Sequence, residues 1–296
     1  MQPRDTHSIA SRIARRNELW TRVTVLLELG GSVGVSIVSG WSAVFEVLSQ
    51  GLVLTIILLL VVGMVAQVSR QIFRFERKWF EARAVAETAK SMQWQYATAS
   101  AGFETEDDSA RNLVEQVTFA RSRYTKTLGL VDAAKLEDET TDTMKHLRRA
   151  PWEQQREVYI KERVLDQSKW YLAKAKRNQQ LSTVYAFAAT LLQGAGVVIA
   201  VVGFLEVSFG ASVLLTIIAT TISSLIGWAQ SRRYDELVEP YEYSHESLEE
   251  IAKTMEDATT KQEFLGLVEE TERLVSREHQ MWQWRRGLNL EKFLQK

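Results

Sequence analysis

The chain has no cysteine among its 296 residues, only three prolines and only four histidines. Without cysteine there is no disulfide, thiolate nucleophile or thiolate-bound zinc, and His7, His146, His245 and His279 are too scattered to suggest a metal centre. Prolines stand only at positions 3, 151 and 240, so long stretches lack the residue that most disrupts helices, and an all-α chain is favoured over a β-rich one. Catalytic signatures are missing too. There is no HExxH, no Walker loop, no nucleophile elbow and no pair of carboxylates in an evident cleft; Gly30-Gly31 has neither a preceding strand nor a following lysine. No catalysis and no cofactor are expected. The first apolar run is too long for a signal-peptide core and follows a polar, basic segment from Arg4 to Arg22, so no cleaved signal is expected either.

What the chain does contain is uncharged sequence in long runs, although charged residues make up 25% of it and the net charge is only −1. From Gly51 to Val68 there are eighteen residues without a charge, followed at once by Arg70 and Arg74. A helix rising about 1.5 Å per residue over that length approaches the ~30 Å hydrocarbon core of a bilayer. A weaker span over 23–48 precedes it, interrupted by Glu28 and Glu46. A second pair follows, over 181–205 and 207–229. Each pair is joined too tightly for an external domain, so two helical hairpins are predicted. Basic residues flank the outer ends of both: Arg12, Arg15, Arg16 and Arg22 before the first and Arg70, Arg74, Arg77 and Lys78 after it; Lys169, Lys174, Lys176 and Arg177 before the second and Arg232 and Arg233 after it. Positive charge stays inside, so both termini are expected in the cytoplasm. Topology accounts for these basic clusters better than nucleic-acid binding does. Phe45-Glu46-Val47 and Leu205-Glu206-Val207 occupy matching hairpin tips, which makes an internal repeat one reading and ordinary short turns the other.

Outside the spans the pattern is helical and amphipathic. From Phe73 to Ser100 there is neither proline nor glycine, and the second span is expected to continue through it as one helix. A helix is expected from about Ala110 to Leu128, another beginning at Pro151, and two in the tail. In the tail, Leu237, Tyr241, Leu248, Ile251 and Met255 form one apolar stripe, and Phe264, Leu267, Val268, Leu274, Val275 and Trp282 form the next, with a kink expected at Pro240. These stripes need partners, and the helices after the second span and before the third are the nearest. A cytoplasmic helical bundle is the expected result.

Three groups of residues are candidate sites. Arg83, Glu87, Lys90 and Trp94 lie at i, i+4, i+7 and i+11 and share one helix face. That face is either a surface ladder or a packed polar seam between repeats or subunits, suited to assembly and signalling. Glu28, Ser32, Ser36 and Ser39 form a polar stripe on the first span, and Ser212, Thr216, Thr220 and Ser223 form one on the fourth. Hydroxyls at this spacing either allow close helix packing or line a hydrated pore, and Glu28 either faces a bundle interior or rests among headgroups beside Arg22. Gly30-x-x-x-Gly34 and Gly196-x-x-x-Ala200 read as packing motifs. Glu46 and Glu206 would form outer acidic rings if several subunits surrounded an axis, and are otherwise solvated turn residues.

Two ordered segments resemble a known family. Trp79-Phe80-x-x-Arg83-Ala84-x-Ala86-Glu87-x-x-Lys90-x-x-x-Trp94-x-Tyr96, ending at Phe103, is similar to the segment after the membrane hairpin in one branch of the SLATT family, the SMODS and SLOG-associating two-transmembrane effector domains. Thr141-Asp142-x-Met144-x-x-Leu147-Arg148, then Tyr159, Arg163, Gln167, Trp170-Tyr171, Lys174-Ala175 and Asn178, resembles the start of a second such domain, and Glu272-Arg273 with Glu278 and Trp282 resembles its last helix. The resemblance implies two tandem units, 1–140 and 141–296, in an all-helical membrane effector of bacterial conflict systems. Such effectors form pores or disrupt the inner membrane when a cytoplasmic sensor or nucleotide-signalling partner reports infection. The reading is therefore a four-span protein of the bacterial inner membrane, homo-oligomeric and held by the lipid bilayer, with no nucleic-acid partner. A non-conducting scaffold that recruits partners through the bundle is the alternative. A small transporter would need a buried coupling carboxylate, for which only Glu28 could serve.

Overall fold

The computed structural model describes residues 6–46, 49–105, 108–124, 127, 139–206 and 209–285. Among the described residues every regular element is a helix. In chain order these are α1 (Thr6–Val44), α2 (Gln50–Phe73), α3 (Phe75–Thr98), α4 (Ser109–Ser122), α5 (Asp142–Arg149), α6 (Trp152–Tyr159), α7 (Leu165–Glu206), α8 (Phe209–Arg232), α9 (Val238–Glu256) and α10 (Lys261–Arg285). A π turn over Ile160–Val164 joins α6 to α7, and a 3₁₀ turn over Asp235–Leu237 precedes α9. Four helical stretches, containing α1, α2, α7 and α8, are long and apolar enough to cross a membrane. The chain is a multi-pass membrane protein.

The helix boundaries have local causes. Ser49 caps α2 by accepting the Leu52 N–H at 3.3 Å. The continuous helix expected from the second span to Ser100 is not found: Arg74 sits at φ 48°, in the left-handed region, and separates α2 from α3. Its N–H still reaches Arg70 O at 3.1 Å, so the break closes one helix as an ordinary C-cap would. At the end of α3, Ala99, Ala101 and Gly102 all have positive φ. Arg148 from α5 closes that end, donating to Tyr96 O at 2.7 Å and Phe103 O at 2.6 Å while its guanidinium lies over the Tyr96 ring. The helix expected over 110–128 ends at Ser122.

The expected kink at Pro240 is not where the chain bends. Arg233, at φ 52°, and the 3₁₀ turn make the break, and Pro240 falls in the first turn of α9, where its missing N–H would have had no intrahelical acceptor. A reciprocal cap starts α10: Thr260 Oγ1 accepts the Glu263 N–H at 3.2 Å, and Glu263 Oε2 accepts the N–H groups of Thr259 at 2.8 Å and Thr260 at 3.2 Å. These bonds hold the Glu263 carboxyl below its usual range.

The described helices gather into two compact units. The polar unit comprises Met1–Glu18, Glu76–Ala173 and Tyr241–Lys296; the apolar unit comprises Leu19–Phe75 and Lys174–Pro240. The main core of the polar unit joins Tyr159, Ile160, Val164 and Tyr171 to Leu248, Ile251 and Met255 of α9 and to Phe264 and Val268 of α10. The two tail stripes therefore pack on the helices around the π turn; the side chain of Trp282 lies outside the described residues. A smaller alanine-rich cluster packs Ala10 and Ala14 of α1 on Ala82, Val85 and Ala86 of α3. The first turn of α1 is fixed by a residue 133 positions away: buried Glu139 accepts the Thr6 N–H at 3.2 Å and the Thr6 hydroxyl at 2.6 Å. A carboxylate there also complements the positive end of the helix dipole.

In the apolar unit α1 packs on both α2 and α8. A Cβ at Gly31 would lie 3.3 Å from Leu59 O and one at Gly34 would lie 3.1 Å from the Leu59 side chain, whereas Gly30 has nothing within 4 Å. The first packing motif thus works through Gly31 and Gly34. On the α8 side, a Cβ at Gly40 would lie 2.6 Å from Val213 Cγ1. Gly196 meets Leu215 and Ile218 across the second hairpin. Rings stack within this unit, Trp20 on Phe75 at 6.1 Å and Tyr185 on Tyr234 at 5.7 Å.

Candidate functional site

Two arrangements account for the sequence candidates, one in each unit. The first is a buried polar seam around α3, the π turn and α10. Arg163, inside the π turn, donates from Nε to Glu272 Oε1 at 2.8 Å and from Nη2 to Glu272 Oε2 at 2.6 Å. Tyr159, at the end of α6, donates its hydroxyl to the same Oε1 at 2.8 Å. Arg163 and Glu272 expose 0% and 1% of their side chains, so the pair is dry. Burial alone would pull the Arg163 guanidinium down, but the charge and hydrogen bonds of Glu272 hold it above its ordinary value. Burial, and then the Glu272 charge, push the Tyr159 phenol well above the usual tyrosine range. Tyr159 stays neutral and donating, and Arg163 stays charged.

Arg83, Glu87, Lys90 and Trp94 line this seam from α3. Trp94 meets the Tyr159 ring edge-on at 5.5 Å, and the Arg83 guanidinium lies 5.2 Å over the Trp170 ring. Arg83 and Glu87 approach to 4.0 Å. Lys90 is pulled below the ordinary lysine value by burial first and then by the Arg163 charge, against the opposing pull of Glu87, Asp166 and Glu272. The face therefore packs within one chain, and its charges belong to a single set centred on Arg163.

A further cluster holds α7 to α9. The Ser168 hydroxyl, fully buried, lies 2.7 Å from His245 Nδ1 and 2.7 Å from Glu249 Oε1. Both acid and imidazole bond the serine oxygen itself, and that oxygen has no solvent access. The arrangement ties helices together and offers no nucleophile. Sequence reasoning missed it, because His245 and Glu249 stand at i, i+4 on an ordinary polar face and their partner is on another helix. It also gave no role to Tyr159, Arg163 and Glu272, although all three carried the family resemblance. Among the described residues no three His, Asp or Glu converge as a metal site would require.

The second arrangement lies in the apolar unit. Ser36 of α1 donates to Thr220 Oγ1 of α8 at 2.9 Å, so the two hydroxyl stripes meet. Within each helix the hydroxyls bond back one turn, Ser32 to Glu28 O at 3.1 Å, Thr216 to Ser212 O at 3.0 Å and Thr220 to Thr216 O at 2.9 Å. Ser32, Ser39, Ser212, Thr216 and Ser223 remain exposed on either side of that contact. Glu28 pairs with Arg70 of α2 at 2.7 Å, both about a third exposed. Glu46 sits exposed in the first hairpin turn at φ 51°; the side chain of Glu206 and the tip residues 47, 48, 207 and 208 lie outside the described residues.

Two family models match in tandem. Residues 8–156 match SMODS and SLOG-associating 2TM effector domain 3, half of the chain, and residues 159–282 match SMODS and SLOG-associating 2TM effector domain 1. No curated protein and no solved structure matches the chain.

Proposed function

This chain belongs to the SMODS and SLOG-associating 2TM effector (SLATT) family, and we propose that it is the membrane-permeabilising component of a bacterial anti-phage system. Domains of this family are two-transmembrane effectors tied to conflict systems. In this reading several copies assemble in the inner membrane with both termini in the cytoplasm, catalyse no reaction, and open a pore when a cytoplasmic signal reaches the polar unit. The observation that carries the reading is the exposed hydroxyl strip. Ser32, Ser39, Ser212, Thr216 and Ser223 flank the Ser36–Thr220 contact on a unit whose other exposed residues are largely aliphatic or aromatic. Each hydroxyl that bonds back to its own helix keeps spare acceptor capacity, which hydrocarbon cannot use and water or a sister helix can.

Signal transfer falls to α1 and α7. With the helix broken at Arg74, these two run unbroken from polar sequence into an apolar span. Reconstitution in liposomes tests the reading. Ion or dye release by the purified protein, alone or with the products of neighbouring genes, is expected, and it should fall when Thr216→Val and Ser223→Ala remove hydroxyls from the strip. Liposomes that stay sealed in every combination would refute it, and that is the outcome a non-conducting scaffold predicts.

A further inference from the structure

Between α6 and α7 the backbone carries one residue more than an α-helix would. The Leu165 N–H donates to Ile160 O, an i→i−5 bond, over the turn Ile160–Val164. Turns of this kind are rare and have a defined geometric effect. Each α-helical residue advances about 100° around the axis and about 1.5 Å along it, so an extra residue sets everything downstream back by one step. We propose that this π turn is a latched register switch, held by Arg163 and Tyr159 on Glu272, and that release of the latch lets it relax to α-helix and turns α7 by one residue.

One side of the switch is fixed. Arg156 of α6 donates to Glu256 O at 3.3 Å and Ala258 O at 2.5 Å, pinning α6 to the end of α9. Gln155 of α6 donates to Leu147 O at 3.2 Å, Arg148 O at 3.0 Å and Ala150 O at 3.2 Å, pinning it to the end of α5. When the turn relaxes, α7 therefore moves and α9 stays with α6.

The moving side can accept two registers. Relaxation seats each residue of α7 where its successor now sits, so Gln167 takes the place of Ser168 and Trp170 that of Tyr171. Both incoming residues already face inward: Gln167 is buried, and the Trp170 and Tyr171 rings each lie 5.8 Å from the Tyr241 ring. The buried stripe is two residues wide at each step, at Tyr159 and Ile160, at Arg163 and Val164, and at Gln167 and Ser168. Three seats are mismatched. Asp166, Lys174 and Arg177 would take the buried places of Gln167, Ala175 and Asn178, which biases the protein toward the latched register until the latch is opened.

The latch itself lies on three elements. Glu272 of α10 holds a residue of α6 and a residue of the turn by the same carboxylate, and Lys90 of α3 sets its positive charge against Arg163. Any event that draws Glu272 away removes both bonds to Arg163 and leaves the Lys90 charge acting against it, with Glu87 as a remaining carboxylate that attracts both. The inference concerns the polar unit and stands whether or not the apolar unit conducts.

Thiol cross-linking tests it on the full chain, which has no native cysteine to confuse the product. His245→Cys is combined in turn with Ser168→Cys and with Gln167→Cys and treated with a short bifunctional reagent. The latched protein should yield the 168 product. In Glu272→Gln, and in Arg163→Lys, which keeps the charge but loses the two-pronged bond, the 168 product should be lost and the 167 product should appear. Deleting Lys161, an exposed residue of the turn, removes the extra residue while leaving α7 in its latched register. That deletion should restore the 168 product in the Glu272→Gln background. Circular dichroism identifies which variants are folded. A 168 product that persists in a folded latch variant would overturn the proposal, and so would an exchange that survives deletion of Lys161.

Discussion

At Glu272 the consequence of a substitution depends on what is left behind. Glu272→Ala strands the Arg163 charge in a dry site and should cost about 3–5 kcal/mol. Replacing Arg163→Met, Glu272→Leu and Tyr159→Phe together removes the buried ion pair and leaves no unpaired phenol, and should be far better tolerated; chemical denaturation of the two variants compares them directly. Lys90 gives a pH signature. Its folded value is depressed, so the unfolded chain binds the extra proton between that value and the ordinary 10.5, and stability should rise with pH across the window. Tyr159 has the opposite sign: its folded value is raised, so the stability from its neutral form is present below the ordinary tyrosine value of 10.0 and is lost above it. Thermal melts of the wild type and of Lys90→Met should show the alkaline rise removed in the variant and its stability at neutral pH increased. None of this could be read from periodicity alone. The i, i+4, i+7, i+11 spacing of Arg83, Glu87, Lys90 and Trp94 showed that they share a face, but what the face meets depends on Arg163 and Glu272, which are separated by 109 positions.

At the scale of elements, the apolar runs and the helix start at Pro151, which immediately precedes α6, were legible because they act locally. The Thr141 cap, which accepts the Met144 N–H at 3.2 Å and starts α5, was not singled out. Breaks that rest on left-handed non-glycine residues were not legible. Arg74, Ala99 and Arg233 carry no local signal for positive φ, and their conformations are set by the packing around them. The π turn was hidden for a related reason: Ile160 to Val164 reads as ordinary helix, and the bond from the Leu165 N–H to Ile160 O is what distinguishes it. Packing of α1 on α8 makes a separate prediction. A side chain at Gly40 would start 2.6 Å from Val213 Cγ1 and 3.1 Å from Ile217 Cδ1, and a β-branched valine has little freedom to move aside. Gly40→Val should separate the two helices and cost on the order of 1–3 kcal/mol. Loss of a cysteine cross-link between positions 36 and 220 would report it.

For the whole molecule, the sequence declares a membrane protein through its uncharged runs and a helical bundle through its stripes, but it cannot reveal how many copies meet. In the apolar unit Phe204 is 83% exposed and Leu205 74%, and most of α2 is exposed as well. Lipid suits these surfaces, whereas the hydroxyl strip calls for a different neighbour. Mass measurement in detergent should therefore give an integral multiple, two or more, of the 33.8 kDa chain. A single-chain mass under conditions that retain activity would exclude an inter-subunit pore. The position of Glu272 adds a constraint in time. A chain made from its N-terminus produces Arg163 before the second hairpin and Glu272 after it. Both hairpins are therefore synthesised before the carboxylate that closes the seam, so the bundle reaches its locked state only at the end of biogenesis, and a ribosome that stops short of α10 leaves Arg163 with its charge uncompensated.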